Sequence, residues 1–510
     1  MALSLHAISS KHQVRVVKHP ALALSLMIVD STVQSDRCEP IISILDLPLE
    51  IQCEIFIHGH RDNSKNEPSR LPMEVILSHV CSEWRNIAIN LPSLWTAFKF
   101  DSHLRVSDPV NKLEEYLCRS GTHLLELYFS FSASDYKYNL DWNHNFDRDL
   151  SLVKIAIAHG CRWHQFTLFA DEFIPSFEFI DLFNEIYVPN LEYLALCLWD
   201  NWPPGNIGPL VFAGGAPKLS AVRIDATAPL HLPPPLSNIT TLTILRTDND
   251  IHFEIHIFHS ILTIPTLANL SIETRSCPDP WIYGPQNFQM PSLKTLRISQ
   301  DSNILGMLSS IDAPLLETLV LHNMDLTNVS MVQDIYSITE FIRLDTIALL
   351  DCHYLVGEDV NRVDMTLNAL ACRATHIIIS SHGGPSFIEN GSNILDFSQY
   401  GWARLQCITF DLSTSSRLAP YIKIFECSPP SITVRVVEPL LNQWARLPGG
   451  LTRLERVCQC KLETMKVGDL MMDEPWPAPG GLFEEDGNLK NPFIWGETFR
   501  AKGPDWILGE

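Results

Sequence analysis

A degenerate motif recurs along most of this chain: an apolar residue, two variable residues, a second apolar residue, one variable residue and a third apolar residue. The clear copies have their first apolar residues at Leu191, Leu219, Ile239, Leu267, Leu293, Leu316 and Leu344. The intervals between these residues are 28, 20, 28, 26, 23 and 28, and a proline often stands two residues ahead of the first position. Such a period predicts a stack of structural repeats.

Each copy of the motif predicts one short strand, in which the last two apolar side chains point to one face of a sheet. A single repeat cannot bury its apolar side alone, so we expect the repeats to stack and their strands to form one curved parallel sheet. The residues expected to be buried in these strands are Leu194, Leu196, Leu242, Ile244, Leu270, Ile272, Leu296, Ile298, Leu319 and Leu321. The period is that of a leucine-rich repeat, but the asparagine that regular repeats carry after the strand is absent, which indicates an irregular α/β solenoid.

Weaker copies extend the predicted array from residue 120 to about residue 411. Their apolar triplets are Leu124, Leu127 and Phe129; Trp163, Phe166 and Leu168; Ala374, Ile377 and Ile379; and Leu405, Ile408 and Phe410. Residues 251–262 predict a return helix between two repeats, although their alternation of apolar and polar residues leaves a strand open.

The end of the chain departs from the repeat pattern. Residues 431–437 predict one more strand, and residues 438–447 and 451–465 predict terminal helices that cap the stack. Residues 468–510 combine prolines, paired glycines, an acidic run and isolated tryptophans, which predicts a largely disordered tail. We prefer a solvated tail with no set role to a tryptophan-bearing peptide that binds a partner.

A helical module is predicted ahead of the repeats, over residues 41–100. Asp46 can cap the first helix and Pro48 lies in its first turn. The apolar residues of that helix form one stripe, made of Leu47, Ile51, Ile55 and Phe56 with Leu49 beside them.

The second helix of the module is expected to run from about Pro72 to Asn90, where Leu91 and Pro92 end it. Its apolar face contains Val75, Ile76, Val80, Trp84, Ile87 and Ala88. A plain helical hairpin with a tryptophan core would account for this pattern.

The module also resembles an F-box, the three-helix motif that binds the Skp adaptor of SCF-type cullin-RING ubiquitin ligases, in the form common in mushroom-forming fungi. The matched features, in the family's order and relative spacing, are Leu47-Pro48, Glu50-Ile51, Ile55-Phe56, Val80-Cys81, Trp84-Arg85 and Leu94-Trp95. Leu49 stands where that group usually repeats proline, and the polar loop of residues 58–70 is longer than in the minimal motif. Neither departure removes an apolar anchor.

The resemblance implies a substrate-recognition adaptor, which binds the Skp adaptor and through it cullin, while the repeats bind an unidentified target protein. The adaptor-binding residues it implies are Leu47, Pro48, Ile51, Ile55, Phe56, Val80, Trp84, Leu94 and Trp95. It implies no catalytic residue, no cofactor and a cytoplasmic or nuclear location. The domain map is then an N-terminal extension (1–40), an F-box-like helical module (41–100), a leucine-rich-repeat-like solenoid with a C-terminal cap (101–467) and the tail (468–510).

Target recognition is predicted on the other face of the strands, because side chains alternate across a strand. The residues between and beside the buried pairs are expected to face outward on the concave side of the sheet. The candidates for target binding are Tyr193, Arg223, Asp225, Ser271, Glu273, Arg297 and His322, and the same row contains Thr243, Thr295, Ser299 and Thr409. This mixed polar set suits a protein of complementary charge better than a lipid or an apolar small molecule, although an ordinary solvated face is equally compatible with it.

Composition argues against several other functions. The formal net charge of −22 is offset by no block of lysine or arginine, which argues against sequence-independent nucleic-acid binding. The 13 cysteines form no CxxC pair and are typical of reduced intracellular thiols, which argues against secretion. The apolar run of residues 21–29 is shorter than the roughly 20 residues that a membrane helix needs.

Few residues indicate catalysis or metal binding. The sequence contains no phosphate-binding glycine loop, no HExxH helix and no GxSxG turn. The densest histidine group is His252, Glu254, His256 and His259, which we interpret as surface residues between apolar ones and not as a metal site. Two alternatives to the adaptor stay open: an adaptor-independent protein-binding scaffold, and an enzyme whose site lies in the irregular loops.

Overall fold

The computed structural model describes residues 44–63, 72–102, 108–131, 142–170, 179, 182–198, 211–225, 235–245, 263–273, 288–299, 308, 311–322, 324, 341–350, 352, 373–381, 404–412, 431–447 and 460–465. The chain divides into two compact units, Met1–Glu54 and Ile55–Glu510, and the boundary falls within the first helix. The helices are α1 (Leu49–Asn63), α2 (Met73–Val80), α3 (Ser82–Ile89), α4 (Pro109–Arg119), α5 (Trp142–Ile157) and α6 (Glu438–Ala445). Turns of 3-10 helix span Ile44–Asp46, Pro92–Trp95 and Gly160–Arg162. Among the helices described, none has the length and apolar content needed to cross a membrane.

The strands in chain order are β1 (Ala97–Asp101), β2 (Leu125–Phe131), β3 (Trp163–Ala170), β4 (Tyr193–Leu198), β5 (Ala221–Asp225), β6 (Thr241–Leu245), β7 (Asn269–Glu273), β8 (Phe288–Gln289), β9 (Thr295–Ser299), β10 (Ile311–Asp312), β11 (Thr318–His322), β12 (Thr346–Leu350), β13 (His376–Ser381), β14 (Cys407–Leu412), β15 (Thr433–Val437) and β16 (Lys461–Met465). Fourteen of them form one parallel sheet in chain order, while β8 and β10 pair with each other. The predicted α/β class with a large parallel sheet is confirmed.

The register of the sheet places the equivalent apolar residues of successive repeats side by side. Leu242 pairs with Leu270, Leu270 with Leu296 and Leu296 with Leu319. All ten residues expected to be buried in parallel strands are fully buried, so that prediction is confirmed. In the weaker copies only Leu124 is exposed, because it lies one residue before β2 and Leu125 takes the buried position.

A tight turn precedes the strand in each clear repeat. The N–H of the first motif residue donates to the carbonyl three residues earlier, as from Leu191 to Val188 (3.3 Å) and from Leu293 to Met290 (3.2 Å). The recurrent proline occupies the second position of this turn, where its fixed φ suits the backbone. The proline signal in the sequence therefore marks the turn that begins each repeat.

Backbone pairing between repeats begins one residue before each strand. The N–H of Glu192 donates to the His164 carbonyl at 2.9 Å, and the N–H of Glu317 donates to the Lys294 carbonyl at 2.8 Å. The same bond recurs up to β14, where Gln406 donates to Thr375 at 2.8 Å. The turn is thereby joined to the preceding repeat before the strand starts.

Polar side chains at the third position of the turn strengthen this connection. Asn190 Nδ2 donates to the Cys161 carbonyl at 2.9 Å, and Ser292 Oγ donates to the Pro265 carbonyl at 2.6 Å. The residues at this position that bond to the preceding repeat are Asn190, Lys218, Asn238, Thr266 and Ser292. They provide, before the strand, the side-chain ladder that regular leucine-rich repeats form after it.

The first repeats have an aromatic core. The Trp163 ring stacks on Phe166 with centroids 4.3 Å apart, and Phe129 packs between Phe98 and Phe166 at 5.9 Å from each. The Trp163 indole N–H donates to the carbonyl of Ala156, seven residues earlier in α5, at 3.0 Å. Trp95, on the 3-10 turn before β1, makes the matching bond to Ala88 in α3 at 2.7 Å, so in both places a buried tryptophan bonds back to the preceding helix.

Two helix predictions in the N-terminal module need correction. The first helix was expected to be capped at Asp46, whereas α1 begins at Leu49 and the Pro48 carbonyl accepts the first helical N–H bonds at 3.0 and 3.1 Å. The second helix was expected to be continuous, but Cys81 is extended (φ −154°, ψ 173°) and separates α2 from α3. The Cys81 Sγ accepts the Trp84 N–H at 3.4 Å and caps α3, which accounts for the break.

Two edge strands were not predicted. β1 lies within the segment assigned to the helical module, and β16 replaces the end of the terminal helix predicted over residues 451–465. β16 pairs with β15, where Arg435 Nε donates to Glu463 Oε2 at 3.1 Å. Hydrogen bonds from Lys461 and Arg435 lower the pKa of the Glu463 carboxyl. The prediction of a helix over 438–447 is confirmed by α6.

A buried carboxylate connects three helices. Glu74 of α2 accepts the hydroxyl hydrogen of Tyr116 from α4, and its other oxygen lies 3.2 Å from His60 Nδ1 of α1. Burial raises the pKa of Tyr116 well above its ordinary value, and the nearby Glu74 raises it further. The Lys112 ammonium lies 5.5 Å from the centre of the Tyr116 ring, and burial lowers its pKa.

We predict that Tyr116→Phe lowers the free energy of unfolding by about 1–3 kcal/mol, because the buried Glu74 oxygen loses its hydroxyl donor. Chemical denaturation followed by fluorescence measures the change. Tyr187→Phe is the matched control, since Tyr187 is exposed and should leave the midpoint unchanged. An equal midpoint for both variants would contradict the role of the Glu74 bond.

The same variant yields a pH prediction. A tyrosine pKa raised in the folded chain stabilises it below the unfolded-state pKa of about 10, and this contribution is lost as pH rises above that value. The stability difference between wild type and Tyr116→Phe should therefore shrink in alkaline solution above pH of about 10. A constant difference across that range, measured by denaturation at each pH, would contradict the prediction.

Candidate protein-binding surfaces

The aromatic residues matched to the F-box pattern lie in the core of the protein. Phe56 of α1 packs edge-to-face on Trp84 of α3, with ring centroids 4.9 Å apart. Leu94 and Trp95, on the 3-10 turn before β1, are also buried. Four of the nine predicted adaptor-binding residues thus hold the helices together.

The aliphatic residues of the same pattern are exposed to solvent. In the first unit Ile51 is 47% exposed, and in the second unit Ile55 is 40% and Val80 is 44% exposed. Pro48 is exposed as well, and Leu47 is half-buried. The predicted stripe of α1 therefore divides: Phe56 is buried, and the isoleucines are not.

Outside the matched pattern, Leu49 is also exposed, and the side chain of Gln52 takes an interior position one turn before Phe56. Gln52 Nε2 donates to the Leu47 carbonyl at 2.8 Å. The sequence did not indicate that Gln52 is buried, because glutamine on a helix is usually exposed.

The predicted target-binding face of the sheet is buried, which contradicts the expected solvent exposure. Arg223 is 3%, Arg297 is 4% and His322 is 2% exposed, and Tyr193 and Ser271 are buried as well. Asp225 and Glu273 end β5 and β7, and their side chains lie outside the described residues. The exposure prediction is wrong for five of the seven residues, while their role in binding stays a prediction.

The physical reason is that a parallel sheet is usually covered on both faces. Val320, Ala348, Leu350 and Ile378 form an apolar cluster on this face, and Tyr193, Ala195 and Ala221 form another. The near-continuous apolar runs of β11, β12 and β13 could have indicated burial of both faces, because the strands of a sheet with one solvent-exposed face alternate apolar and polar residues. The leucine motif reflects the recurrent spacing of one face only.

The register brings several of the predicted residues into one cross-strand row. Arg223 pairs with Thr243, Thr243 with Ser271 and Ser271 with Arg297. The Arg223 guanidinium also lies 5.8 Å from the centre of the Phe169 ring. These residues therefore occupy one continuous strip of the sheet.

His322 is the centre of a buried polar group at the end of this strip. Its Nδ1 lies 3.1 Å from Arg297 Nη2 and 3.3 Å from Ser299 Oγ. A guanidinium can only donate, so Nδ1 is the acceptor and the ring proton is on Nε2. His376, the first residue of β13, has its Nε2 2.8 Å from Thr409 Oγ1. Burial lowers the pKa of His376, and the nearby Arg435 lowers it further.

Metal binding and catalysis receive no support from the geometry described. The histidine group of residues 252–259 lies outside the described residues. Within the described ranges, no three side chains of His, Cys, Asp or Glu are grouped as metal ligands. The absence of a catalytic residue stays a prediction.

No protein-family model matches this chain, and no curated protein sequence does.

The burial of the second face is testable by thiol labelling. We predict that a cysteine at Ser271, which is buried on β7, reacts roughly tenfold more slowly than one at the exposed Lys294, because the sheet must open locally first. Peptide mass spectrometry after iodoacetamide treatment separates each new thiol from the natural ones. Equal rates for Ser271→Cys and Lys294→Cys would restore the solvent-facing interpretation.

Proposed function

We propose that this chain is the substrate-recognition adaptor of an SCF-type cullin-RING ubiquitin ligase. In this proposal residues 41–100 are an F-box that binds the Skp adaptor, and residues 101–467 are a leucine-rich-repeat-like solenoid that binds the target protein. The chain acts in the cytoplasm, the nucleus or both, and the ligase machinery supplies the chemistry.

The observation that carries the proposal is the division of the matched residues by burial. Phe56 and Trp84 are buried, while Ile51, Ile55 and Val80 are exposed. A hairpin that served only its own core would place large aliphatic residues inside, because leaving them in water forfeits about 1.5–3 kcal/mol for each side chain. Exposed aliphatic residues at motif positions are what a docking surface requires.

The repeats support the second part of the proposal. A parallel sheet of fourteen strands in chain order offers long rows of equivalent positions at its edges. Since Arg223, Ser271 and Arg297 are buried, a target reaches them only after displacing what covers them. We therefore assign target recognition first to the exposed turns that precede the strands.

We predict that the double variant Leu47→Ala and Pro48→Ala abolishes co-purification with a Skp adaptor, because truncating anchors at the centre of an interface costs about 2 kcal/mol or more. The measurement is pull-down of recombinant adaptor by the full-length chain, with binding quantified by calorimetry. The solenoid should stay folded, as judged by an unchanged thermal unfolding transition.

Leu124→Ala is the matched control, since Leu124 is an exposed leucine outside the F-box pattern.

A second pair of variants separates docking from folding. Ile55→Asp should remove adaptor binding and leave the unfolding transition in place, whereas Trp84→Ala should lower that transition. Adaptor binding at wild-type strength in the double variant and in Ile55→Asp would favour the scaffold that works without the adaptor.

A further inference from the structure

A row of three arginines occupies one position in three successive repeats. Arg343, Arg373 and Arg404 each lie three residues before a strand, ahead of β12, β13 and β14. The strands that follow are in register, since Thr346 pairs with His376 and His376 with Cys407. Neighbouring strands lie about 4.8 Å apart, so the row extends over about 10 Å.

The arginines stand where earlier repeats use a bonding side chain. Asn190, Asn238 and Ser292 at this turn position donate to the preceding repeat. The guanidinium groups of the arginine row make no hydrogen bond or ion pair with any residue in the part of the chain that the structure describes. Arg343 and Arg404 are exposed, and Arg373 is half-exposed. The row therefore does not serve the connection between repeats.

The row places three arginines close together in a strongly acidic chain. At the same edge, the described residues include two carboxylates, Asp345 and the exposed Glu317 of the preceding repeat, and hydroxyls of Thr346 and Thr375 already donate to Asp345. Three arginines at adjacent cross-strand positions place like charges near one another, and an anion that pairs with them offsets their repulsion. The net charge of −22 repels an acidic ligand at long range, so such a ligand is held by short-range contact with the row.

An apolar residue stands beside the row. Ile342 is 68% exposed, at the turn position that holds proline or serine in the other clear repeats. A nucleic acid gains little from contact with an exposed isoleucine, whereas a peptide can pack an aliphatic side chain on it. An extended peptide rises about 3.3 Å per residue, so about four residues match the length of the row.

We propose that Arg343, Arg373 and Arg404, with Ile342 at one end, form a binding surface for an acidic peptide segment of a protein partner that carries an aliphatic residue beside its carboxylates. Binding at this surface does not depend on adaptor binding. Each exposed ion pair is weak alone, so the row acts as an array and its affinity falls with salt.

The test is fluorescence anisotropy of a labelled oligoglutamate peptide with the full-length chain, at low and at physiological ionic strength. The triple variant Arg343→Gln, Arg373→Gln and Arg404→Gln should weaken binding about tenfold, as expected for three exposed pairs. The matched control is Lys154→Gln, Lys218→Gln and Arg446→Gln, which removes the same charge from exposed sites, one of them at the same turn position in another repeat. The control should bind as the wild type does.

A peptide with a leucine beside its glutamates should bind the wild type more tightly than oligoglutamate does, and Ile342→Ser should remove this gain. No binding by the wild type, or equal weakening by both triple variants, would overturn the proposal. So would tighter, arginine-dependent binding of an oligothymidylate, which would make the row a nucleic-acid site. Unfolding midpoints close to that of the wild type show that the triple variants are folded.

Discussion

The backbone hydrogen bonds between successive repeats are the interaction on which the rest of this structure depends. In a parallel sheet every strand has its partners in the repeats before and after it, so no repeat satisfies its own N–H and C=O groups. The pairing starts one residue before the strand, as with Glu317 and Lys294, and the turn ahead of it sets the register. A slip of one residue would exchange the two faces of the strand, and the buried leucine of the turn opposes it.

Burial of both faces decides where charged and polar groups go. The interior holds polar residues that bond locally, such as Ser299 and Arg297 around His322. Charged side chains elsewhere collect at the turns, where Lys218, Lys294 and Arg343 are exposed. The surface that this sheet leaves open to a partner is consequently its edge, because the strand faces are occupied by packing.

The sequence predicted one strand per repeat, its buried side chains and its parallel pairing, because the spacing of leucines reflects directly which face is covered. It did not predict β1 and β16, since AFKFD and KLETM contain no leucine motif and gain their pairing from a neighbour already in place. Nor did it predict the buried second face. In a sequence, an arginine between the apolar residues of a strand is typical of a solvent-exposed face, and only tertiary packing shows that Arg223 and Arg297 are buried.

The helical module was predicted less completely, for a different reason. Residue type alone placed Phe56 and the isoleucines of α1 on one stripe without showing which of them is covered, and it did not show that the second helix is broken at Cys81. The break depends on one local bond, from the Trp84 N–H to Cys81 Sγ, and no periodicity in the sequence reports it. Half of the motif is therefore core and half is surface.

Directional bonds then hold the exposed half in place. Apolar packing alone would tolerate some sliding of the helices, whereas the hydrogen bond from Tyr116 to Glu74 requires a defined geometry, and His60 Nδ1 lies 3.2 Å from the other Glu74 oxygen. Ile55 lies on the same helix as His60, and Val80 lies on the same helix as Glu74. A buried polar contact thus orients the helices that carry the exposed aliphatic residues, and under the proposed function a loss of orientation there would weaken docking without removing any of those residues.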